Sequence, residues 1–287
     1  MRTYFGFCDT VLIREDPDYE YIAMPNQERF RFRNHISYNS LSMRSPEVDK
    51  TAINILGFGD SVLNGGVLTD QDSLATTILS DTLSKIYHKK IQFLNISAGS
   101  WGPDNCYAFL QKHIDFRAKH LFLFVSSHDA YDQMNFEKIV GINKSFPDKQ
   151  YKLALYELFD RYILPRISMK FGGNTKKTDH LGINKKQTTS TFNSGFQLFV
   201  NYSIENDLPL TIYLHADMRE LKAGKYNEQG QEIIKFAETH QVRIIKDLEN
   251  GLQYNDFRDN IHLNEAGQRK LSMTVLKHGN FSILDRE

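Results

Sequence analysis

The chain has 287 residues, of which 40% are hydrophobic and 24% are charged, and its 35 basic residues balance its 35 acidic residues. These values are typical of a soluble globular protein with a sizeable core, organised as one domain with room for an insertion. The neutral balance argues against nucleic acid or an anionic membrane surface as a partner. Cys8 and Cys106 provide neither a disulfide framework nor a metal-ligand spacing, which fits a reducing compartment.

Residues 1–50 form an N-terminal extension that lacks a regular alternation of strands and helices. They mix aromatic, charged and turn-forming residues, and the RFRF stretch at 29–32 alternates as a half-buried strand does. We therefore predict a short antiparallel extension packed on the main body. The segment has no signal-peptide pattern, and no stretch of the chain approaches the length of a membrane span, so we expect a cytoplasmic protein.

From residue 51 to 287 the pattern changes to strands that alternate with helices, which predicts a main domain with a parallel sheet covered on both faces. Asn264 is a candidate N-cap of the last helix, and Gly279 follows its end. The predicted strands are 52–58, 90–97, 120–127, 210–216 and 242–247, and the predicted helices are 73–88, 104–118, 151–169, 190–206, 228–240 and 264–278.

The stretch from 141 to 190 is too long for a simple crossover and is predicted to be an insertion or lid. Its part between 166 and 186 is basic, with Asp179 as the one acid. A solvated mobile loop and a surface for an anionic substrate both remain open. The basic residues are Arg166, Lys170, Lys176, Lys177, Lys185 and Lys186.

The first predicted strand leads into GFGDSVLNGG, residues 57–66. A serine at a glycine-flanked turn between strand and helix is often placed as a nucleophile. Ser61 is the candidate here, and its own N–H would lie near a helix N-terminus that favours developing negative charge. We interpret Asp60 as a support for the turn.

Polar groups also follow the later strands, in NISAGSWGPDN (95–105), SSHDAYD (126–132) and DNIHLNEAG (259–267). In the last of these, Asp259 and His262 are three residues apart just before a helix. A turn there would place the carboxylate beside the imidazole, so that His262 can take the proton from Ser61 while Asp259 fixes its tautomer. No cofactor is needed for this chemistry.

With these motifs the sequence resembles the SGNH, or GDSL-type, serine hydrolase superfamily from about residue 52 to 278. GDSVLNGG is similar to the nucleophile block with Val62 in place of leucine, NISAGSWG to the second block, and DNIHLNEAG to the final Asp-x-x-His block. In the third block, usually Gly-x-Asn-Asp, this chain has SSHD, with Ser126 and His128 at the Gly and Asn places. NSLSMRS (39–45) resembles the Asn-Ser-x-Gly-x-Arg stretch of some bacterial members, with Ser42 in place of the glycine.

The resemblance implies a flavodoxin-like three-layer α/β/α fold with about five parallel strands, and ester hydrolysis or acyl transfer. It implies Ser61, Asp259 and His262 as catalytic residues. It also implies an oxyanion hole from the N–H of Ser61 and a backbone N–H at Gly99 or Ser100. His128 is a further candidate donor, because the usual asparagine amide is absent.

Two structural alternatives accompany this interpretation. A metal cluster would draw on five residues, His128, Asp129, Asp132, His215 and Asp217, although the serine, histidine and aspartate explain the same strand ends without metal. Trp101, the single tryptophan, is either a core residue or a surface on which a sugar ring stacks.

Three functions remain open from the sequence. An esterase would remove a small acyl group such as acetyl from a carbohydrate or a related small-molecule ester. An O-acyltransferase would use the same residues with a sugar hydroxyl in place of water. A non-catalytic carbohydrate-binding module would keep only the fold, which the intact Ser61, Asp259 and His262 disfavour. The sequence does not indicate an oligomeric state.

Overall fold

The structure is a computed structural model that describes residues 5–113, 115–170 and 191–286. Two antiparallel hairpins form the N-terminal extension, as predicted. Strand β1 (Ile13–Asp16) pairs with β2 (Glu20–Ala23), and β3 (Gln27–Arg31) pairs with β4 (Asn34–Tyr38).

The alternation in the RFRF stretch is real, but its buried face is the polar one. Arg31 is fully buried, whereas Phe30 is 62% exposed. The Arg31 guanidinium donates hydrogen bonds to the carbonyls of Cys8, Asp9 and Gly6 at 2.7, 2.5 and 3.0 Å. Because these carbonyls accept hydrogen bonds from both terminal nitrogens of the guanidinium, the arginine can be buried beneath the N-terminal segment.

Five parallel strands form the central sheet, which confirms the predicted α/β class. The strand order is β6-β5-β7-β8-β9, the order typical of flavodoxin-like sheets. All seven residues of β6 are buried, as expected for a strand covered on both faces. The bounds are β5 (Ile53–Gly59), β6 (Ile91–Ser97), β7 (Ala118–Ser126), β8 (Leu210–His215) and β9 (Arg243–Lys246).

Helices cover the two faces of this sheet. The bounds are α1 (Ser61–Asn64), α2 (Ala75–Tyr87), α3 (Pro103–Lys112), α4 (Ala154–Leu158), α5 (Leu164–Lys170), α6 (Gly195–Glu205), α7 (Met218–Ala223), α8 (Glu228–Thr239) and α9 (Glu265–His278). Helix α2 packs beside α9, and α3 packs beside α6. Strand β5 lies between β6 and β7, so right-handed crossovers place α2 and α3 on opposite faces.

The ends of the helices agree only in part with the sequence pattern. Asn264 caps α9 as predicted, since its side chain accepts a hydrogen bond from the N–H of Gly267. Gly279 follows α9 but keeps a right-handed conformation with φ −73°. The helix predicted over 104–118 ends at Lys112, because the chain must turn before β7 begins at Ala118.

The hydrophobic core lies between the sheet and these two helical layers. Phe58 and Phe122 on neighbouring strands are fully buried, as are Leu79 on α2 and Phe199 on α6. Burying each such side chain stabilises the fold by about 1.5–3 kcal/mol. The core thus fixes the sheet whose carboxyl edge carries the candidate catalytic groups.

The described part of the predicted insertion packs against the N-terminal extension. Its helix, predicted over 151–169, consists of α4, a π-helical turn (Phe159–Ile163) and α5. The N–H of Ile13 bonds to the carbonyl of Pro147 at 2.7 Å, and the rings of Tyr21 and Phe146 meet edge to face at 4.7 Å. The basic residues Lys176, Lys177, Lys185 and Lys186 lie outside the described residues. Across the described ranges, no helix has both the length and the apolarity needed to cross a membrane.

Candidate active site

Ser61 lies at the first position of α1, and only Asp60 separates it from the end of β5. The side chain of Asp60 caps this helix by accepting a hydrogen bond from the N–H of Val62 at 2.7 Å, which is the supporting role predicted for it. A side chain at position 59 would meet Leu63 Cβ at 3.0 Å and the carbonyl of Phe124 at 3.1 Å, so the turn requires Gly59. Gly65 ends the helix in a left-handed conformation with φ 73°.

His262 lies between Ser61 and Asp259. Its Nε2 is 2.9 Å from Ser61 Oγ, and its Nδ1 is 2.8 Å from Asp259 Oδ2. A carboxylate accepts a hydrogen bond, so Asp259 favours the tautomer with a proton on Nδ1 and leaves Nε2 to accept the serine proton. The three side chains are arranged as a nucleophile, a base and a group that orients the base.

Asp259 is held in its ionised form by the turn that contains it. Partial burial alone would raise the pKa of this carboxyl, but hydrogen bonds from the N–H groups of His262 and Ile261 outweigh it and lower the pKa. The side chain remains 51% exposed, and that of His262 is 29% exposed. Both side chains are therefore accessible to solvent.

Gln268 on α9 joins the histidine segment to the serine segment. This buried side chain donates to the carbonyl of Val62 at 2.8 Å and accepts from the N–H of Ala75 at 3.0 Å. Helix α9 follows directly after His262, so the bond fixes the distance between α9 and α1. The sequence analysis missed this residue, because one glutamine in an amphipathic helix carries no signal of a role.

Arg44 of the N-terminal extension holds the loop that follows the serine. Its buried guanidinium donates to the carbonyls of Asn64, Gly66 and Thr69, the first and last at 2.5 and 2.6 Å. Ser42 has a φ of 66°, the left-handed conformation that glycine adopts most readily. The backbone at this position therefore suits the glycine of the Asn-Ser-x-Gly-x-Arg pattern that this stretch resembles.

The backbone N–H groups of Ser61 and Gly99 are predicted oxyanion donors, and both residues lie at the carboxyl edge of the sheet. Gly59 at the end of β5 pairs with Ser97 at the end of β6. Ser61 and Gly99 each follow two residues later, which places both at this edge. Gly99 and Ser100 are exposed. The hydroxyl of Tyr21 donates to the carbonyl of Gly99 at 2.9 Å and fixes this loop. Within the described residues, the N–H groups of Ser61 and Gly99 donate no hydrogen bond.

His128 lies at the same edge, in the turn after β7. Its side chain is 45% exposed, and its Nε2 is 3.6 Å from Asp129 Oδ1, longer than a hydrogen bond. Burial raises the pKa of Asp129 to about 7, helped by the nearby negative charge of Asp60. The role of His128 as an oxyanion donor stays a prediction.

We expect His128→Ala to lower kcat on an aryl ester by about a hundredfold, the usual effect of losing one oxyanion donor. KM should change little, because the bond strengthens mainly in the transition state. His128→Asn should recover part of the loss, since an amide can donate from a similar place. The measurement is the kcat and KM of both variants under steady-state conditions. A folded alanine variant within about threefold of wild type would leave the hole to backbone N–H groups.

Trp101 is a core residue, and its predicted contact with a sugar ring is wrong. The side chain is 1% exposed, and its Nε1–H donates to the carbonyl of Tyr21 at 2.8 Å. The ring packs edge to face against Tyr19 at 5.5 Å. With both faces covered, it serves to anchor the Gly99 loop to the N-terminal extension.

The five-residue metal cluster does not form. His215 bonds to Asp247, and Asp217 caps α7 by accepting from the N–H groups of Arg219 and Glu220. Within the described residues, one set of three side chains could offer ligand atoms to a metal at mutual distances within 4.8 Å. It consists of Asp60, His128 and Asp129. His128 and Asp129 thus remain together, whereas His215 and Asp217 have other roles.

No protein-family model and no curated protein matches the sequence. Among solved structures, the chain is similar to a member of the lipolytic protein G-D-S-L family from Veillonella parvula, at 13% identity and a TM-score of 0.44, with 79% of this chain and 97% of that chain covered. It is similar to TesA at 12% identity and a TM-score of 0.48, covering 78% and 97%. It is also similar to a variant of an acetyl xylan esterase from Geobacillus stearothermophilus, at 12% identity and a TM-score of 0.45, covering 80% and 95%.

At these identities and TM-scores the likeness is one of fold. The chemistry of this chain follows from its own side chains.

Proposed function

We propose that the chain is a serine esterase that removes a small acyl group, such as acetyl, from a carbohydrate or a related ester. The observation that carries this proposal is the continuous contact from Ser61 Oγ through His262 to Asp259, at 2.9 and 2.8 Å. Ester hydrolysis needs a nucleophile, a base and donors aimed at the oxyanion, and this sheet edge has candidates for each.

In the proposed mechanism, His262 Nε2 takes the proton of Ser61 as the serine oxygen attacks the ester carbonyl. Asp259 stabilises the imidazolium that forms, and the N–H groups of Ser61 and Gly99 receive the oxyanion. The imidazolium then gives its proton to the leaving alcohol. Water repeats the sequence on the acyl-enzyme with His262 as base, which releases the acid and restores the serine.

The surroundings of the site support a polar alcohol and a small acyl group. The catalytic side chains are partly exposed, and Gly99, Ser100 and His128 at the same edge are exposed as well. This open, polar setting suits a sugar ester better than a long acyl chain, which would need an apolar channel.

The test is release of acetate from p-nitrophenyl acetate and from acetylated sugars by the purified protein, with and without a free sugar acceptor. We expect acetate as the product in every case and no effect of EDTA, since no proposed step uses a metal. Transfer of acetyl to the added sugar would favour the acyltransferase. Loss of activity with EDTA and recovery with a divalent ion would favour a metal site at Asp60, His128 and Asp129.

A further inference from the structure

His215 is a buried histidine outside the proposed catalytic group, at the carboxyl end of β8. Its Nδ1 is 2.6 Å from Asp247 Oδ2, and its Nε2 is 2.7 Å from the carbonyl oxygen of Ile261. A carbonyl oxygen can only accept, and a carboxylate accepts as well, so both ring nitrogens must donate. Both contacts are therefore made at once only by the protonated imidazolium.

The surroundings favour this charged form. Burial alone would lower the pKa of His215, but the negative charge of Asp247 and its hydrogen bond outweigh the burial and raise the pKa. Asp60 adds a more distant negative charge, and the ring of Phe257 packs 5.6 Å away. The hydroxyl of Tyr226, whose pKa is raised by burial and by Asp247, stays uncharged.

Asp247 is itself held in place. Its Oδ1 accepts from the N–H of Ala216 at 3.0 Å and lies 3.0 Å from the hydroxyl of Tyr226. The same hydroxyl lies 3.0 Å from the carbonyl of Leu214. Asp247 thus contacts the N–H of Ala216 directly and the carbonyl of Leu214 through Tyr226, so the backbone on both sides of His215 fixes the ion pair.

Ile261, whose carbonyl accepts the hydrogen bond from His215 Nε2, lies inside the turn that carries Asp259 and His262. The preceding carbonyl, that of Asn260, accepts from the N–H of Met218 at 2.9 Å. Two successive carbonyls of the turn therefore accept hydrogen bonds from the end of β8, one from His215 and one from Met218 just after the strand. The N–H groups on the other side of the same peptides face Asp259, because Ile261 and His262 donate to its carboxylate at 3.1 and 2.8 Å.

We propose that His215, paired with Asp247, is a positioning residue that holds the Asp259–His262 turn through the carbonyl of Ile261, so that His262 meets Ser61. As a contribution to catalysis, this role rests on the proposed esterase function. The rigid end of β8 fixes the turn, and the turn places the base. A displacement of the base by about 1 Å can lower a rate by about a hundredfold.

Two substitutions at His215 separate positioning from folding. The amide nitrogen of glutamine lies near the place of Nε2, so His215→Gln keeps a donor for Ile261. The shorter asparagine side chain faces only Asp247, so His215→Asn loses that donor. We expect His215→Asn to lower kcat by roughly 10- to 100-fold with KM nearly unchanged, and His215→Gln to restore most of the loss.

The matched control is His120→Asn. His120 is another buried histidine, on the neighbouring strand β7, and it bonds to Thr211 Oγ1 at 2.9 Å without touching the turn. This variant should have a lower Tm than wild type but the same kcat. Active sites are counted with a fluorophosphonate, so that kcat refers to folded molecules. If the asparagine and glutamine variants at 215 have the same kcat as wild type, the positioning role is wrong.

The pH dependence provides a readout that a purely structural role would not change. The ion pair contributes to stability below the ordinary imidazole pKa, and this contribution is lost as pH rises through the raised pKa of His215. Above that pH, Asp247 retains the proton on Nδ1 and Nε2 no longer donates to Ile261. We therefore expect kcat to fall at high pH, and this fall to move to lower pH in Asp247→Asn. An identical alkaline profile in that variant would contradict the proposal.

Amide hydrogen exchange tests the contact independently of activity. The N–H groups of Ile261 and His262 should exchange about tenfold faster or more in His215→Asn than in wild type or His215→Gln. Unchanged exchange would overturn the positioning role even if the wild type hydrolyses no ester. A wild type that is inactive on every ester, with faster exchange in the asparagine variant, would refute the esterase function alone.

Discussion

Replacing Ser61 by alanine is expected to abolish ester hydrolysis and leave the fold intact. The hydroxyl of Ser61 lies 2.9 Å from His262 Nε2, and the residue is only partly buried. Removing the hydroxyl takes away the nucleophile without opening a cavity in the core. We expect kcat/KM on an aryl acetate to fall by about a thousandfold or more, the range seen when a triad nucleophile is lost.

Covalent labelling makes this prediction specific for Ser61. A fluorophosphonate should add one label to the wild type, at Ser61, and none to Ser61→Ala. The control is Ser127→Ala at the same sheet edge, where the hydroxyl donates to Glu220 at 2.5 Å and not to a histidine. That variant should be labelled normally. Near-normal turnover by a folded Ser61→Ala would show that another group attacks the ester.

The strands of the sheet were predictable because their residues are apolar at successive positions. Runs such as FLFV in β7 are apolar on both faces, and only a strand covered by helices on both sides buries all of them. The positions of Ser61, Asp259 and His262 followed from the topology, because parallel strands bring their carboxyl ends to one edge. The sequence motifs thus located the candidate catalytic side chains.

The buried polar groups were not predictable in the same way. Arg31, Arg44 and Gln268 are inside the protein because particular backbone carbonyls happen to meet their donors. No periodicity in the sequence encodes such a match, since the partners are distant in the chain. In the RFRF stretch this even reversed the buried face, with Arg31 inside and Phe30 outside.

His215 shows the same limit at the candidate site. Its place near the end of a predicted strand was visible in the sequence, where it was a candidate metal ligand. Its partners, Asp247 and Ile261, come from two later segments that only the fold brings together. The sequence therefore identified a histidine at the right edge of the sheet, but not the turn on which it acts.

The second large effect is expected for Asp259→Asn. Asp259 lies 2.8 and 3.0 Å from His262 Nδ1 through its two oxygens, and it determines which ring nitrogen carries the proton. An asparagine at this position would keep one oxygen for the backbone N–H groups and turn its amide nitrogen toward Nδ1. The imidazole would then carry its proton on Nε2, where it could not accept from Ser61. We expect kcat to fall by about 10³- to 10⁴-fold.

A chemical rescue distinguishes this loss from a local collapse of the turn. Because the Asp259 side chain is 51% exposed, the space left in Asp259→Ala is open to a small carboxylate from solution. Added formate should raise the kcat of the alanine variant in a saturable way and leave that of Ser61→Ala unchanged. Asp115→Asn, which removes an exposed ion pair with Lys50 without touching the imidazole or the turn, is the control and should keep its activity. If Asp259→Asn stays within about tenfold of wild type, the carboxylate does not orient His262 and the base must be held by the turn alone.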